Sequence, residues 1–207
     1  MSVTKGSPFS GAAPSCAAAY LWPAVGRELD RLALADKRVF DLGCGNGSTA
    51  QLLLGRGFAV TGVDPSPSGI EQARKAFPQA RFEIGTTDDD LAGRFGRFPL
   101  VVSLEVIEHC FSVHSYARTC FELLEPGGTL VCSTPYHGYL KNLALSLADG
   151  WDRHHASLTD GGHIKFFSPR SLERLLRDHG FSDIRIVRIG RIPPLAKSMI
   201  VIARRSV

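Results

Sequence analysis

No stretch of the 207-residue chain approaches eighteen uncharged apolar residues, so no membrane-spanning helix is expected. The N-terminus lacks a charged region followed by an apolar run, and no signal peptide is expected there either. Cysteine is scarce. Cys16, Cys44, Cys110, Cys120 and Cys132 are odd in number and nowhere spaced C-x-x-C, which suggests neither a disulfide framework nor a zinc site. That usage fits a reducing, cytoplasmic setting. Blocks of five or six like charges are also missing, and the net charge of +4 is scattered along the chain, so no nucleic-acid partner is expected. What is present is the composition of one globular domain: 44% hydrophobic and 21% charged residues, in a length too short for two full domains.

The most informative stretch runs Val39-Phe-Asp-Leu-Gly-Cys-Gly-Asn-Gly47. It reads as a short buried strand, Arg38–Leu42, apolar except for Asp41, followed by a turn in which Gly43, Gly45 and Gly47 permit positive φ. Ser48 and Thr49 can then cap a helix whose first N–H groups face the turn. A dinucleotide fingerprint would need glycine where Ser48 stands, and a P-loop would need a lysine after Gly47. The acid is the clue, because a carboxylate repels a diphosphate and attracts an ammonium or a polarised hydroxyl. Seventeen residues past Gly47, a second apolar strand over 58–63 ends in Asp64-Pro65-Ser66, where a carboxylate can take both hydroxyls of a ribose. Taken singly, each acid has a plain alternative as a helix N-cap and the glycines as a tight turn. The order strand, glycine loop, helix, strand, acid is what points to a nucleotide-type ligand.

The D-x-G-x-G-x-G loop resembles motif I of the class I S-adenosylmethionine (SAM) methyltransferases. The resemblance implies that Asp41, Gly43, Cys44, Gly45, Asn46 and Gly47 wrap the amino-acid end of SAM, with Asp64, Pro65 and Ser66 at its ribose. After a strand over 80–84, Thr86, Thr87 and Asp88 are implied at the adenine, the alternative being a solvated acidic loop. Leu104 and Glu105, at the end of a strand over 99–104, and His109, one helical turn further on, complete the implied cofactor contacts. Their E-x-x-E-H form is closest to small-molecule O-methyltransferases such as those of ubiquinone biosynthesis, as is Gly161-Gly-His163. His109 and His163 are therefore the candidate general bases, with an orienting or purely structural role for each left open. Asp152, His154, His155, Asp160 and His163 match no zinc or non-haem iron spacing, and no metal is expected.

Residues 1–14 read as a flexible arm and 15–207 as one domain. Helical patterns begin near 15, broken by Pro23 and able to bring Tyr20 and Trp22 near the site, and recur over 48–56, from Pro67, and over 115–125. A further helix capped by Ser168 carries Leu172, Leu175 and Leu176. Strands are expected at 129–134, 183–189 and 198–203. Residues 135–167 read as a lid inserted at the carboxyl edge of the sheet, rich in histidine and aromatics, in which 140–148 forms an apolar helix. The implied fold is α/β: a Rossmann-like seven-stranded, mostly parallel sheet with a C-terminal antiparallel hairpin and helices on both faces. The implied reaction is methyl transfer from SAM, leaving S-adenosylhomocysteine, to a small, partly hydrophobic acceptor, foremost at a hydroxyl oxygen. N- or S-methylation, or SAM binding without catalysis, are the alternatives.

Overall fold

Alternate residues along the central strands pack into two different cores. In the computed structural model, which describes residues 17–155 and 162–206, Phe40, Val101, Leu130, Cys132 and Val201 belong to one core, while Val39, Leu100, Val102, Val131, Ile200 and Ile202 belong to the other. A strand apolar on both sides must be covered on both, and helices do so here. The strands are β1 Arg38–Leu42, β2 Ala59–Asp64, β3 Arg81–Ile84, β4 Phe98–Leu104, β5 Leu124–Pro135, β6 Phe181–Ile189 and β7 Ser198–Arg205. Over one face lie α1 Ala18–Leu32, α2 Ser48–Leu54 and α3 Pro67–Ala76; over the other lie α4 Leu91–Phe95, α5 Val113–Leu123 and α8 Pro169–Asp178. Two further helices, α6 Tyr139–Leu147 and α7 Trp151–His155, follow β5.

The seven strands form one sheet in the order β3-β2-β1-β4-β5-β7-β6, and β7 runs antiparallel to both its neighbours. The expected architecture is thus present. From β1 the order runs outward to β2 on one side and to β4 on the other, and such a reversal leaves a crevice at the carboxyl ends of the strands. The loops after β1, β2, β3, β4 and β5 all open on that edge. Ser103 fixes the seam by donating from Oγ to the carbonyl of Leu42 at 2.8 Å in the interior.

Boundaries differ where capping and pairing outweigh sequence pattern. α5 starts at Val113 because Ser112 accepts from the Ser115 N–H as its N-cap. β5 begins at Leu124, paired with Phe98, before the turn at Gly127. α4 was not anticipated; Asp90 caps it by accepting from the Gly93 N–H. α6 forms as expected, yet none of its residues is buried.

α1 is clamped to the far edge of the sheet by Glu28, which is 4% exposed and accepts hydrogen bonds from Arg31 and Arg185. The Arg185 guanidinium is the main cause that holds the Glu28 carboxyl below its usual range. A carboxyl of lowered pKa adds stability that is complete above its unfolded pKa and is lost as pH falls through its folded one. Glu28→Gln is accordingly expected to cost about 1 kcal/mol at pH 7, discounted because Arg185 is half exposed, and the difference from wild type should shrink below pH 4 in urea titrations.

Candidate active site

The glycine turn is shaped by its neighbours. The carbonyl of Val63 accepts from the N–H groups of both Gly43 and Cys44, at 2.8 and 3.0 Å, and Asp64 Oδ2 accepts from the Gly45 N–H at 2.9 Å. Gly43 and Gly47 sit at φ 80° and 79°, and a Cβ on them would come within 2.5 Å of Val106 and 2.8 Å of Ala73. Both positions therefore require glycine on conformation and on space. The Cys44 side chain turns inward against Gly62 and Phe82, where burial raises its thiol pKa, so only its backbone faces the turn. Asn46 is also buried, and its Oδ1 accepts from the Ser48 N–H.

Asp41 lies under this turn, 1% exposed, and its Oδ2 has no hydrogen-bond partner among the described residues. Burial first, and the nearby Asp64 second, push its pKa up to about 7. A buried carboxylate oxygen without a donor is costly unless a ligand supplies one. Asp64 is likewise raised by burial, an effect opposed by its bonds from the Ser66 and Gly45 N–H groups, and its two oxygens keep lone pairs for further donors. Pro65 is exposed, and Ser66 is spent locally as the N-cap of α3, accepting from Gly69 at 3.2 Å.

Beyond β3 the loop is held by short-range bonds: the Thr86 N–H to Asp89, the Asp88 N–H to Thr86 Oγ1, and Thr119 Oγ1 to the carbonyl of Thr87. Thr86 and Thr87 are half-buried and Asp88 is exposed at the same edge.

The end of β4 carries the densest chemistry. Leu104 is half-buried, and Glu105 adopts φ 56°, a left-handed backbone that costs a non-glycine residue on the order of 1 kcal/mol or more. Its N–H donates to the Ser133 carbonyl and to Ser133 Oγ, while the Ser133 and Ser198 hydroxyls donate to its two carboxylate oxygens. Tyr20 of α1 meets Ser198 Oγ at 3.1 Å, so the N-terminal helix does reach this carboxylate, through one hydroxyl. Trp22 is half-buried on the same helix.

Glu108 is completely buried in the 3-10 turn Ile107–His109. Thr134 Oγ1 donates to its Oε2 at 3.0 Å, while Oε1 has no hydrogen-bond partner among the described residues and lies 4.0 Å from His163 Nε2. Burial, then Glu105, push this carboxyl up to about 8. His109 and His163, distant in sequence, stand with ring centroids 5.0 Å apart. His109 Nδ1 meets the carbonyl of Gly162 at 3.2 Å, so in the neutral ring Nδ1 carries the proton and Nε2 the lone pair. Burial and the neighbouring His109 lower the His163 pKa, leaving its ring neutral at pH 7. Glu108, His109 and His163 bring one ligand atom each within 4.8 Å of the others, close enough to share a cation as well as a proton. Glu108 is the group that sequence reading left without a role. Its place in E-x-x-E-H was the available signal, and its burial was not visible there.

A second set of imidazoles lines the lid. His137, 8% exposed, is held down to about 4 by burial and by the Lys141 ammonium; His154 and His155 are lowered by the same two causes. Of the residues considered for a metal, Asp160 lies outside the described residues, as does the arm over 1–14.

A family profile described as a methyltransferase domain matches residues 18–186, well over half of the chain. The chain belongs to the SAM-dependent methyltransferases. A ubiquinone biosynthesis O-methyltransferase of Cereibacter sphaeroides is 33% identical to this methyltransferase over 179 residues, 82% of this chain and 72% of the relative. A protein of the same name from Methylocella silvestris is 34% identical over 149 residues, 67% of this chain and 56% of its own. Among solved structures, the magnesium protoporphyrin IX methyltransferase of Synechocystis, with bound S-adenosylhomocysteine, shares the fold with a TM-score of 0.67 at 23% identity over 89% of this chain and 82% of that one. The methyl donor of this methyltransferase is SAM, and the orphaned Asp41 oxygen fits it, since the ammonium of the cofactor offers the missing donor.

A carboxyl whose pKa rises on folding destabilises the ligand-free protein above that pKa, and the penalty fades toward the unfolded range. Asp41→Asn should therefore raise the melting temperature of the ligand-free methyltransferase more at pH 8 than at pH 5. By calorimetry the same change should weaken S-adenosylhomocysteine at least about tenfold.

Proposed function

We propose that this methyltransferase acts on a hydroxyl oxygen of a small, partly hydrophobic molecule, with Glu108, His109 and His163 at the acceptor end and the turn around Asp41 at the donor end. The observation that carries this reading is the neutral His163 ring 4.0 Å from a buried carboxyl whose facing oxygen is unpaired. Bound SAM supplies a methyl group already activated on a sulfonium. The chain's own part is to align the acceptor, exclude water and take a proton.

His163 Nε2 takes the hydroxyl proton, and Glu108, once ionised, stabilises the imidazolium that results. His109, with its Nδ1 proton held by the Gly162 carbonyl, presents Nε2 to orient the acceptor or serve as an alternative base. At the other end Asp41 and the glycine turn receive the amino-acid portion of the cofactor, Asp64 its ribose and the loop at Thr86, Thr87 and Asp88 its adenine. The lid supports a small hydrophobic acceptor, since Tyr139, Leu140, Leu143 and Leu147 of α6 are all exposed apolar side chains. The O-methyltransferase names of the C. sphaeroides and M. silvestris relatives support oxygen over nitrogen or sulfur. Among the described residues no helix is long and apolar enough to cross a membrane, and the thiols of Cys44, Cys110, Cys120 and Cys132 are free, as suits a reducing cytoplasm.

With a panel of phenols and catechols set against amines and thiols, phenolic acceptors should turn over fastest. His163→Gln or Glu108→Gln should lower kcat by roughly 10²–10⁴-fold while leaving S-adenosylhomocysteine affinity within a few-fold of wild type. The wild-type rate should rise with pH through about 8 as Glu108 ionises, and that limb should vanish in Glu108→Gln. Unchanged turnover in both variants would remove the base from the mechanism.

A further inference from the structure

The lid imidazoles converge in a way the acceptor chemistry does not use. His137 directly follows the turn out of β5, and its N–H donates to the carbonyl of Phe167 at 3.1 Å, which fixes it to the body of the domain. His154 and His155 ride on α7, seventeen residues further on. One ring nitrogen from each of the three lies within 4.8 Å of the others. Aromatic packing sets the ring orientations: Trp151 stacks on His155 at 4.8 Å, and the edge of Phe166 meets His137 at 4.9 Å and His155 at 4.7 Å. His155 Nε2 is closed off from solvent and has no hydrogen-bond partner among the described residues.

We infer that His137, His154 and His155 form a binding site for a divalent transition metal of the zinc class, which clips the α6–α7 lid onto the end of β5. Three imidazoles without thiolate or carboxylate suit zinc, cobalt, nickel or copper, and disfavour magnesium and calcium, which prefer oxygen. Tetrahedral zinc with bonds of about 2.0–2.1 Å holds its ligand atoms about 3.3 Å apart, so the imidazoles must draw together from separations of up to 4.8 Å. Metal binding would also fill a structural need, because α6 buries none of its residues and α7 is a short helix joined to it. Lys141 opposes the site electrostatically, although its ammonium is already engaged by the Tyr136 carbonyl at 2.8 Å. The expected affinity is accordingly micromolar rather than that of a thiolate zinc site. This site shares no residue with the Glu108, His109 and His163 group, although His163 is near enough to feel its charges, and it does not depend on the acceptor reading above.

The test is a calorimetric titration with zinc in a His109→Gln/His163→Gln background, which disables the other group of ligands. That protein is expected to bind one zinc ion per chain, and adding His154→Gln and His155→Gln should abolish the binding. Zinc should also slow tryptic cleavage at Lys141 severalfold in the background and have no effect once the pair is replaced. No zinc uptake by the background, or unchanged uptake after loss of the pair, overturns the proposal. If the quadruple variant no longer unfolds cooperatively, His155→Phe in the same background keeps a ring between Trp151 and Phe166. It should then cut zinc affinity at least tenfold, and an unchanged affinity overturns the proposal equally.

Discussion

The carbonyl of Val63 is the point on which the glycine turn rests, because it accepts two successive N–H groups of that turn and so decides where the chain leaves β1. A backbone acceptor shared in this way binds the turn to the neighbouring strand rather than to its own helix. Asp64, the next residue, extends the hold to Gly45. Beneath the turn so held, Asp41 keeps one carboxylate oxygen, Oδ2, without a partner among the described residues. Strand pairing, usually a matter of fold stability, here leaves one oxygen unsatisfied for a ligand.

The crevice joins two electrostatic environments. At the proposed donor end, Asp41 is buried and the half-buried Asp64 stands near enough to add to its cost of ionisation, which a positive ligand would relieve. At the proposed acceptor end, the neutral His163 ring lies beside a carboxyl that burial keeps largely protonated at neutral pH. The first favours a cationic ligand, and the second, in the reaction proposed above, an uncharged acceptor. Glu105, three residues before Glu108, has its strained backbone held by Ser133 and its carboxylate by the Ser133 and Ser198 hydroxyls.

Much of this was legible in the sequence where local rules and tertiary structure agree. The glycine turn, the acids closing β1 and β2, the capped α8 and the two-sided strands were of that kind. The start of α5 was read two residues late because two serines compete there and only the fold shows that Ser112 is the cap. The start of β5 was read five residues late because its first residue pairs with Phe98 ahead of a Pro-Gly-Gly turn that looks like a break. Glu108 carries no mark in sequence of being sealed from water. His137 and the pair on α7 match no ligand spacing, since their proximity is created by the lid folding back over the end of β5.

The position of β7 bears on biosynthesis. It is the last strand in the chain but lies inside the sheet, between β5 and β6. Until it is made, β5 presents an open apolar edge from Leu130 to Ser133, and β6 has no partner strand within the sheet. A chain emerging from the ribosome therefore carries an exposed pairing edge until β7 is out of the ribosome and can pair, the kind of edge that recruits other chains. Ser198, the first residue of β7, also supplies a hydroxyl to Glu105, so the strand that closes this edge completes the hydrogen bonding at the end of β4 in the same step.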